Sequence, residues 1–432
     1  MKIVVLGSGE SAIGAALLAH KYAQTVFVSD SGLIKPETQT LLNEHSIRFE
    51  ESGHSIDIIG KADLVIKSPG IPRSASIIVE LINLGIEVIG EIEYGYRHLG
   101  ESKSIGITGS NGKSTVSNMI YQCLKHVGLN VCIGGNFGKS LCRILSEDHH
   151  YDYFVLELSS FQLEDIVEFT PDISILLNIT PDHLDRYEYD IEKYAAAKFR
   201  ITIHQGDGHL IVYNKDDQRI AGHCMDLRVP RIGISMKDST SQLAQHVSLD
   251  DLPFSGVHNH FNALIAQEVV YHLGFQREDA YAALKNYQAL PHRMEVVAKV
   301  DGVTYVNDSK ATNTDAVFYA LGGVDGSVVW IVGGTDKGND YTALDDLVKS
   351  KVRHIVCMGL DNQPIIQHYS QSGIPLSDHD SLESAMEAAS GIAVEGDTVL
   401  LSPACASFDL FDNYIHRGLQ FKDAVFQLIY KK

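Results

Sequence analysis

The sequence lacks any long hydrophobic run and has a deficit of positive charge. No stretch approaches the roughly 18 consecutive apolar residues that a membrane-spanning helix requires. Lysine and arginine number 35 against 55 aspartates and glutamates, so the formal net charge is −20, which disfavours a nucleic-acid or anionic-membrane surface. We predict no membrane insertion and no nucleic-acid partner, and we expect anionic substrates to be held by a few locally placed cations.

Cysteine is also scarce. The six cysteines are scattered without C-x-x-C spacing, so neither a disulfide framework nor a zinc knuckle is indicated. Reduced thiols are typical of the cytoplasm, and the N-terminus enters a strand pattern directly, with no extended apolar segment before it. The sequence therefore predicts a cytoplasmic protein, and we expect it to act as a monomer.

What the sequence does contain is a phosphate-binding pattern at residues 104–115, where an Ile-rich strand runs into a small-residue turn and then a helix. Gly109 and Gly112 allow backbone N–H groups to turn toward an anion, and the helix N-terminus adds a partial positive charge. Lys113 can reach terminal phosphates, and the Ser114 hydroxyl can bind Mg²⁺. Isoleucine stands where the general P-loop has its first glycine, so this is the shorter G-x-x-G-K-S form. The pattern favours phosphate binding over an ordinary strand-to-helix turn.

The rest of the chain alternates apolar strands with helices, and 432 residues are enough for about three domains. A fresh strand pattern begins near residue 93, and another begins after Pro291. We predict an α/β protein with a Rossmann-like N-terminal domain over residues 1–93, a central P-loop-type ATP-binding domain with a mostly parallel sheet over 94–290, and a Rossmann-like C-terminal domain over 291–432.

The N-terminal domain opens with a possible ligand crevice. A strand at residues 2–6 is followed by G-x-G-x-x-A spacing, which is typical of pyrophosphate binding at a helix N-terminus. Asp30 follows the second strand, where a ribose-binding carboxylate would lie, and residues 68–72 form a rigid turn that could line the same crevice. Tight strand-to-helix packing is the alternative for the glycines, and a plain connection is the alternative for the 68–72 turn.

Two of the strands that follow the phosphate-binding pattern lead to ionisable residues. Glu157 ends a strand at the position from which P-loop proteins usually hold Mg²⁺ or its water, with a solvated edge glutamate as the alternative. His183 shares the loop after the next strand with two carboxylates, and both a metal or phosphate contact and a structural role are open for it.

Helices and loops of the central domain supply further polar residues. Asn259 and Asn262 are three residues apart on a predicted helix and share one face, as an adenine-reading pair would require. The helical pattern by itself makes Lys198 an ordinary surface lysine. The glycine-rich residues 134–138 are predicted to form a loop that is too polar and flexible to be core.

In the C-terminal domain, three strands end in small or polar loops. Such loops line one crevice at the carboxyl edge of an open α/β sheet, so we expect Asp308, Lys310, Lys337 and Ser407 to converge on one ligand. The alternative is that each loop is an ordinary turn. Ordinary turns favour Gly, Asp and Asn, but they do not explain two lysines at equivalent positions.

Together these motifs resemble the Mur ligases over essentially the whole chain. The resemblance is carried by G-S-N-G-K-S-T at 109–115, G-G-N at 134–136, E-L-S-S-F-Q at 157–162, D-H-L-D-R at 182–186, H-N-x-x-N at 258–262, H-R at 292–293, N-D-S-K-A-T-N at 307–313 and S-P-A-C-A-S-F-D at 402–409. The last two runs look like the family member that adds D-glutamate, and the Asp-Asn-Pro-Arg run of the relative that adds diaminopimelate or lysine does not occur. The resemblance implies an ATP-dependent ligase of peptidoglycan precursor synthesis that joins D-glutamate to UDP-N-acetylmuramoyl-L-alanine through an acyl phosphate.

The resemblance also implies how ATP and metal are held. ATP would be bound by Gly109, Ser110, Asn111, Gly112, Lys113, Ser114, Thr115, Asn259, Asn262, Arg293 and Asp308. Two Mg²⁺ ions would be bound by Ser114, Glu157, His183 and Lys198, the last of them carrying a carbamate. The catalytic residues would be Lys113, Asn136, His183 and Lys198. For Lys198 this implied role replaces that of a surface lysine.

The two other substrates would occupy the outer domains and their borders. UDP-N-acetylmuramoyl-L-alanine would contact Gly7, Ser8, Gly9, Glu10, Ser11, Asp30, Ser31, Ser68, Pro69, Gly70, Asn136, Ser159, Gln162 and His183. D-Glutamate would contact Lys310, Thr312, Lys337, Ser407, Phe408 and Tyr414. The family usually has phenylalanine where this chain has Tyr414.

Other functions fit parts of the pattern. A dinucleotide-binding oxidoreductase rests on Gly7, Gly9 and Asp30 alone and leaves Lys113 and Lys198 without a role. A non-enzymatic nucleotide sensor would not need the converging C-terminal loops. Another Mur ligase, or a ligase similar to folylpolyglutamate synthetase, shares the short P-loop and the lysine, but the latter would extend a γ-linked L-glutamate.

Overall fold

The computed structural model describes residues 1–147, 149–237, 252–254, 257–336 and 338–430. Three sheets, one in each of the three predicted domains, organise this part of the chain. Nearly all of their strand pairs are parallel, as expected where helices connect successive strands. The predicted α/β class is therefore confirmed. Among the described residues, no helix has both the length and the apolar character to cross a membrane.

The chain divides into two compact units. The first comprises Met1–Ile179, Asp190–Asp251 and Phe261–Asn286, and it contains two of the sheets. The second comprises Thr180–Tyr189, Leu252–His260 and Tyr287–Lys432, and it contains the third. The domain boundaries near residues 93 and 291 stay predictions.

The N-terminal sheet has the strand order β3-β2-β1-β4-β5. Val5 and Val4 of its central strand pack into separate apolar clusters, because alternate side chains of a parallel strand face helices on opposite sides. From β1 the chain adds β2 and β3 on one side of the sheet and then β4 and β5 on the other side. This change of direction places a crevice between the turns after β1 and β4. The strands are β1 (Lys2–Leu6), β2 (Thr25–Ser29), β3 (Arg48–Glu50), β4 (Leu64–Lys67) and β5 (Glu87–Gly90), and the helices are α1 (Glu10–Lys21), α2 (Pro36–Glu44), α3 (Ile56–Ile59), α4 (Ser76–Asn83) and α5 (Glu91–Tyr96).

The central sheet has the order β11-β10-β9-β6-β8-β7, so β6 lies between β8 and β9. The turn after β6 is therefore flanked by the carboxyl ends of its two neighbours. The strands are β6 (Lys103–Thr108), β7 (Val131–Gly135), β8 (Tyr153–Glu157), β9 (Ile173–Leu176), β10 (Leu210–Asn214) and β11 (Arg231–Ile234). The helices are α6 (Lys113–His126), α7 (Leu141–Ser146), α8 (Ser160–Leu163), α9 (Ile191–Phe199), α10 (Gln218–Met225), α11 (Val257–His272) and α12 (Arg277–Lys285), with short 3-10 turns at Leu184–Tyr187 and Arg200–Thr202.

The glycine-rich stretch at 134–138 corrects one prediction. Gly134 and Gly135 are buried and form the end of β7, where Gly135 pairs with Glu157 of β8. A Cβ at Gly134 would lie 2.6 Å from the Lys139 carbonyl oxygen, so the close return of the backbone requires glycine. These glycines are needed for close packing of the backbone, and only the residues from Asn136 onward form a loop.

The C-terminal sheet has the order β12-β13-β17-β14-β15-β16, and only the β12–β13 pair is antiparallel. The last strand in sequence, β17, lies between β13 and β14, which brings together the three loops expected to bind one ligand. The strands are β12 (Glu295–Val300), β13 (Val303–Asn307), β14 (Val328–Val332), β15 (Val352–Met358), β16 (Leu376–His379) and β17 (Thr398–Leu401). The helices are α13 (Thr314–Gly323), α14 (Asp345–Lys351), α15 (Gln363–Tyr369), α16 (Leu382–Ile392) and α17 (Tyr414–Tyr430), with a 3-10 turn at Thr342–Leu344.

Candidate active site

Residues 109–112, which we call the phosphate cradle, turn the chain from β6 into α6. Gly112 caps the helix at φ +84°, a backbone conformation that favours glycine. The turn is fixed from the end of β9: the Asn111 amide N–H donates to Asn178 Oδ1 at 2.8 Å, and Asn178 Nδ2 donates to the Asn111 carbonyl at 3.1 Å. Asn262 of α11 lies against the cradle, since a Cβ at Gly112 would approach its Oδ1 to 3.3 Å. These contacts fix the cradle at the N-terminus of α6, where the helix dipole favours an anion.

Two lysines meet at the cradle. Lys113 Nζ donates to the carbonyl oxygens of Gly109 and Ser110, each at 2.8 Å. Lys198 is only 1% exposed, and its Nζ donates to the same Gly109 carbonyl at 2.8 Å. Its ammonium also lies 4.5 Å from the ring centroid of Tyr194, whose hydroxyl is hydrogen-bonded to Ser110. Lys198 is therefore not the surface lysine that the helical pattern predicted, because its side chain points inward to the cradle.

Glu157 and Ser114 form a buried polar pair beside the cradle. The Ser114 hydroxyl donates to Glu157 Oε2, and Asn136 Nδ2 donates to Glu157 Oε1 at 3.0 Å. Both Ser114 and Glu157 are almost completely buried, so the alternative of a solvated edge glutamate is wrong.

This pair has the donor set that Mg²⁺ accepts in nucleotide sites. In the described part of the chain, no group of three or more His, Cys, Asp or Glu side chains is arranged to hold a metal ion. Mg²⁺ commonly takes only one or two carboxylates and completes its coordination with phosphate and water oxygens. One hydroxyl and one carboxylate beside a phosphate cradle therefore fit Mg²⁺.

The N-terminal turns predicted to hold UDP lie along one edge of their sheet. The Gly7 amide donates to the Ser29 carbonyl at 2.8 Å, and the Ser68 amide donates to the Leu6 carbonyl at 2.9 Å. Asp30 Oδ1 accepts a hydrogen bond from the Gly32 amide at 2.8 Å, so this carboxylate also stabilises its own turn. The structure brings residues 7–11, 30–31 and 68–70 to the carboxyl edge, as predicted for a crevice.

Ser159 and Gln162 are tied to each other. The Ser159 hydroxyl accepts from the Gln162 amide at 3.3 Å, while Gln162 Oε1 accepts from the Ser159 amide at 3.0 Å. This capping box begins α8 and explains both residues in structural terms. It also fixes their orientation at the end of β8.

In the second unit, a buried arginine joins two of the three converging loops. Arg417 of α17 is fully buried and donates to the Ser309 hydroxyl at 3.0 Å, to the Ser309 carbonyl at 2.8 Å and to the Cys405 carbonyl at 3.2 Å. Burial lowers its pKa to about 10, so it remains charged at neutral pH. The third loop is joined through backbone hydrogen bonds between Thr335 and Ala406. The three loops therefore lie together, and the binding of one ligand by their side chains stays a prediction.

The side chains on these loops have distinct environments. Lys310 Nζ lies 5.3 Å from the ring centroid of Tyr414, so the aromatic ring is used in a cation–π contact. Ser407 is buried, Thr312 is half-buried and Phe408 is 71% exposed. Lys337 lies outside the described residues.

Asp308 is buried at the start of the first of these loops. Its carboxylate accepts from the Ser402 hydroxyl at 2.9 Å and from the Met294 amide at 3.2 Å. Burial raises the pKa of Asp308 to about 7, although these hydrogen bonds and the nearby Arg293 and Arg417 charges oppose the shift. Asp308 therefore titrates near neutral pH.

The remaining predicted residues also fall in the second unit. His183 has φ +52°, and its Nε2 lies 3.7 Å from Asp182 Oδ1. Asn259 and Arg293 are both half-buried. The first unit thus holds the cradle, Asn136, Glu157, Lys198 and Asn262, and the second holds His183, Asn259, Arg293 and the three loops.

Sequence reasoning missed three residues that shape these regions: Asn178, Tyr194 and Arg417. Asn178 had a usable signal, because it follows a strand at the carboxyl edge beside the cradle. Tyr194 lies one helical turn before Lys198, which is also visible in sequence. Arg417 had none, because an arginine in an amphipathic helix is ordinarily exposed.

Comparisons with known proteins identify the family. Three family models match in order: the MurD N-terminal domain at residues 2–77, the Mur ligase middle domain at 107–270 and the Mur ligase glutamate ligase domain at 292–405. UDP-N-acetylmuramoylalanine–D-glutamate ligase of Christiangramia forsetii is 43% identical, over 98% of this chain and 99% of that protein. The enzyme of the same name from Bacteroides thetaiotaomicron is 42% identical, over 99% and 100%.

Solved structures support the fold at lower identity. UDP-N-acetylmuramate-alanine ligase MurC from Thermotoga maritima superposes with a TM-score of 0.63 at 18% identity and covers all of both chains. MurF ligase from the same organism, in complex with ADP, superposes with a TM-score of 0.60 at 13% identity, over 94% of this chain and 95% of that one. With the full-length relatives above 40% identity and the three family models, the chain belongs to the Mur ligase family.

Proposed function

We propose that this chain joins D-glutamate to UDP-N-acetylmuramoyl-L-alanine and converts ATP to ADP and phosphate as it does so. The observation that carries the ATP-dependent step is the cradle, where Lys113 and Lys198 share the Gly109 carbonyl beside the buried Ser114–Glu157 pair. The choice of substrates is supported by the full-length relatives named for this reaction. A cytoplasmic location follows from the use of ATP and a UDP-sugar.

The reaction needs activation of a carboxylate, because a carboxylate oxygen is a poor leaving group. The alanine carboxylate attacks the γ-phosphorus of ATP, and ADP leaves. The D-glutamate amine then attacks the acyl phosphate carbon, phosphate leaves, and the amine proton passes to solvent. No covalent bond to the protein is required, so the chain's residues act by positioning and by charge.

The first unit supplies most of the proposed ATP contacts. The cradle amides and Thr115 would bind phosphate oxygens, Lys113 would neutralise the terminal phosphates, and Asn136 would lie near the γ-phosphate and the accepting carboxylate. Asn259 and Asn262 would face adenine, Arg293 would lie near the phosphates and Asp308 near the ribose.

Ser114 and Glu157 are the residues that would hold Mg²⁺, with His183 at a second site. Bound Mg²⁺ neutralises negative charge on the phosphates. Lys198 would carry a carbamate, since addition of CO₂ turns a cation that would repel Mg²⁺ into an anionic ligand. Its burial against the cradle supports this role.

The other substrates would be bound by the remaining predicted residues. UDP would lie along residues 7–11, 30–31 and 68–70, and the muramoyl-alanine part near Asn136, Ser159, Gln162 and His183. Lys310, Thr312, Lys337, Ser407, Phe408 and Tyr414 would surround D-glutamate. We place the borders of the three domains at residues 93 and 290.

Phosphate release tests the proposal directly. Purified protein supplied with UDP-N-acetylmuramoyl-L-alanine, ATP and Mg²⁺ should release phosphate on addition of D-glutamate and not of L-glutamate. Response to L-glutamate with a folate acceptor would favour the folylpolyglutamate synthetase-like reaction. Tight NADH binding without phosphate release would favour an oxidoreductase.

A further inference from the structure

A buried ion pair lies between the two parts of the first unit that are proposed to bind the UDP-sugar. Lys67, at the end of β4, pairs with Asp165, and each side chain is only 1% exposed. Lys67 Nζ also donates to the Ile71 carbonyl at 2.7 Å, and Arg73 Nε donates to Asp165 Oδ1 at 2.9 Å. One carboxylate thus holds both ends of the turn at residues 68–72.

Asp165 is itself firmly placed relative to α8. It follows the helix by two residues, and its carbonyl accepts from the Gly90 amide at 3.3 Å. Arg200 fixes the same segment by donating to the carbonyls of Leu163 and Ile166 at 2.8 and 2.7 Å. Since α8 begins with the Ser159–Gln162 capping box, Asp165 connects that box to the 68–72 turn through a short, rigid path.

The ion pair is better explained by positioning than by stability. Removing two charges from water costs free energy that their attraction only partly recovers, so a buried pair adds little net stability over apolar residues of the same size. Its effect on geometry is direct. Lys67 and Arg73 both contact the Asp165 carboxylate, and Lys67 in turn holds the Ile71 carbonyl.

We propose that Asp165 is a positioning residue for the UDP-sugar substrate. It sets the distance between the 68–72 turn, which is proposed to contact the UDP end, and Ser159 with Gln162, which are proposed to contact the muramoyl-alanine end. A ligand that spans two regions already held at the correct separation loses less free energy in ordering them. This inference rests on the proposed function, because it needs a ligand that touches both regions.

The test compares a short ligand with the full one. Calorimetric titration of the Asp165→Asn variant with UDP alone should show a loss of affinity of at most about 3-fold, because UDP touches only one region. UDP-N-acetylmuramoyl-L-alanine should lose about 10-fold or more, and its KM should rise while kcat and the KM values for ATP and D-glutamate stay near those of the wild type. Glu168→Gln, at an exposed carboxylate three residues further on, is the matched control. Equal losses for the two ligands, or no loss, would overturn the proposal.

A second variant separates positioning from folding. Lys67→Met combined with Asp165→Leu removes both charges and should recover the thermal stability that Asp165→Asn loses by leaving Lys67 buried without its carboxylate. Its affinity for the full substrate should nevertheless remain about 10-fold below the wild type, because the turn has lost its anchor. Recovery of wild-type affinity would make the pair purely structural. If the wild type releases no phosphate with this substrate, the proposed function itself fails, whereas an active wild type with unchanged variants refutes only the role of Asp165.

Discussion

The phosphate cradle and the three loops of the C-terminal sheet are both built at the carboxyl ends of parallel strands, but they are held together differently. The cradle is a continuous run of residues, fixed by the neutral amide of Asn178 and by two lysines on one carbonyl. The C-terminal loops come from separate parts of the chain: the buried Arg417 joins two of them, and backbone hydrogen bonds between Thr335 and Ala406 join the third. A continuous turn can be fixed by hydrogen bonds from the side chains packed around it, whereas separate loops also need contacts that join one loop to another.

The carboxylates near the two regions also have different environments. Glu157 is paired with a hydroxyl and an amide in a position suited to a cation. Asp308 is buried, and its pKa is raised to about 7. We therefore expect substitutions in the cradle to stop the reaction, and those in the C-terminal region to change substrate affinity or the pH dependence of stability.

Glu157→Ala should have the largest effect. Loss of the carboxylate removes the proposed cation ligand together with the anchor of Ser114 and Asn136, so phosphate release should fall by about 10³-fold or more. Circular dichroism should show an intact fold. Glu101→Ala, at an exposed glutamate, is the control. Near-normal turnover of Glu157→Ala would show that Glu157 does not bind the metal ion.

Lys198→Ala should come next, with a loss of about 10²-fold in phosphate release. If the lysine acts as a carbamate, acetate or formate should restore part of the activity, because a small carboxylate can take the place of the missing anion. Lys193→Ala, at an exposed position of the same helix, should retain full activity. Absence of rescue would argue against the carbamate.

Arg417→Lys should have a smaller effect that is confined to one substrate. Lysine keeps the charge but cannot reproduce the planar fork that contacts both Ser309 and Cys405, so the KM for D-glutamate should rise by about 10-fold. The KM for UDP-N-acetylmuramoyl-L-alanine should not change. His416→Gln, next to it on α17, is the control, and parallel changes in every KM would show that Arg417 supports the whole protein rather than these loops.

Asp308→Asn should have the smallest effect, and it should appear in stability. The folded-state pKa of about 7 lies above the unfolded value, so the folded state binds the proton more tightly and the charged carboxylate destabilises the fold at high pH. This cost is absent below about pH 4 and grows as pH rises toward 7. The variant should thus be more stable than the wild type by about 1–2 kcal/mol at pH 8, with no advantage near pH 4. Urea unfolding at the two pH values measures the difference, and equal pH profiles would contradict the raised pKa.

Much of the local structure was predictable. β1 has the bounds predicted for the strand at residues 2–6, and β6, the cradle and α6 follow the strand, turn and helix predicted at 104–115. The short strand β7 was not predicted, because its final glycines resemble a loop in composition. These glycines belong to a strand because they pair with Leu156 and Glu157 of β8, which comes from a different part of the chain.

By itself the sequence determined the α/β alternation, the phosphate cradle and the resemblance to the Mur ligases, because these depend on residues that are close together in the chain. Only the tertiary structure decided that Lys198 points to the Gly109 carbonyl, that β17 lies between β13 and β14, that Arg417 joins two loops and that Lys67 pairs with Asp165. Each of these depends on burial or on contacts between residues far apart in sequence, and a charged residue gives no sign in the sequence of whether it will be buried.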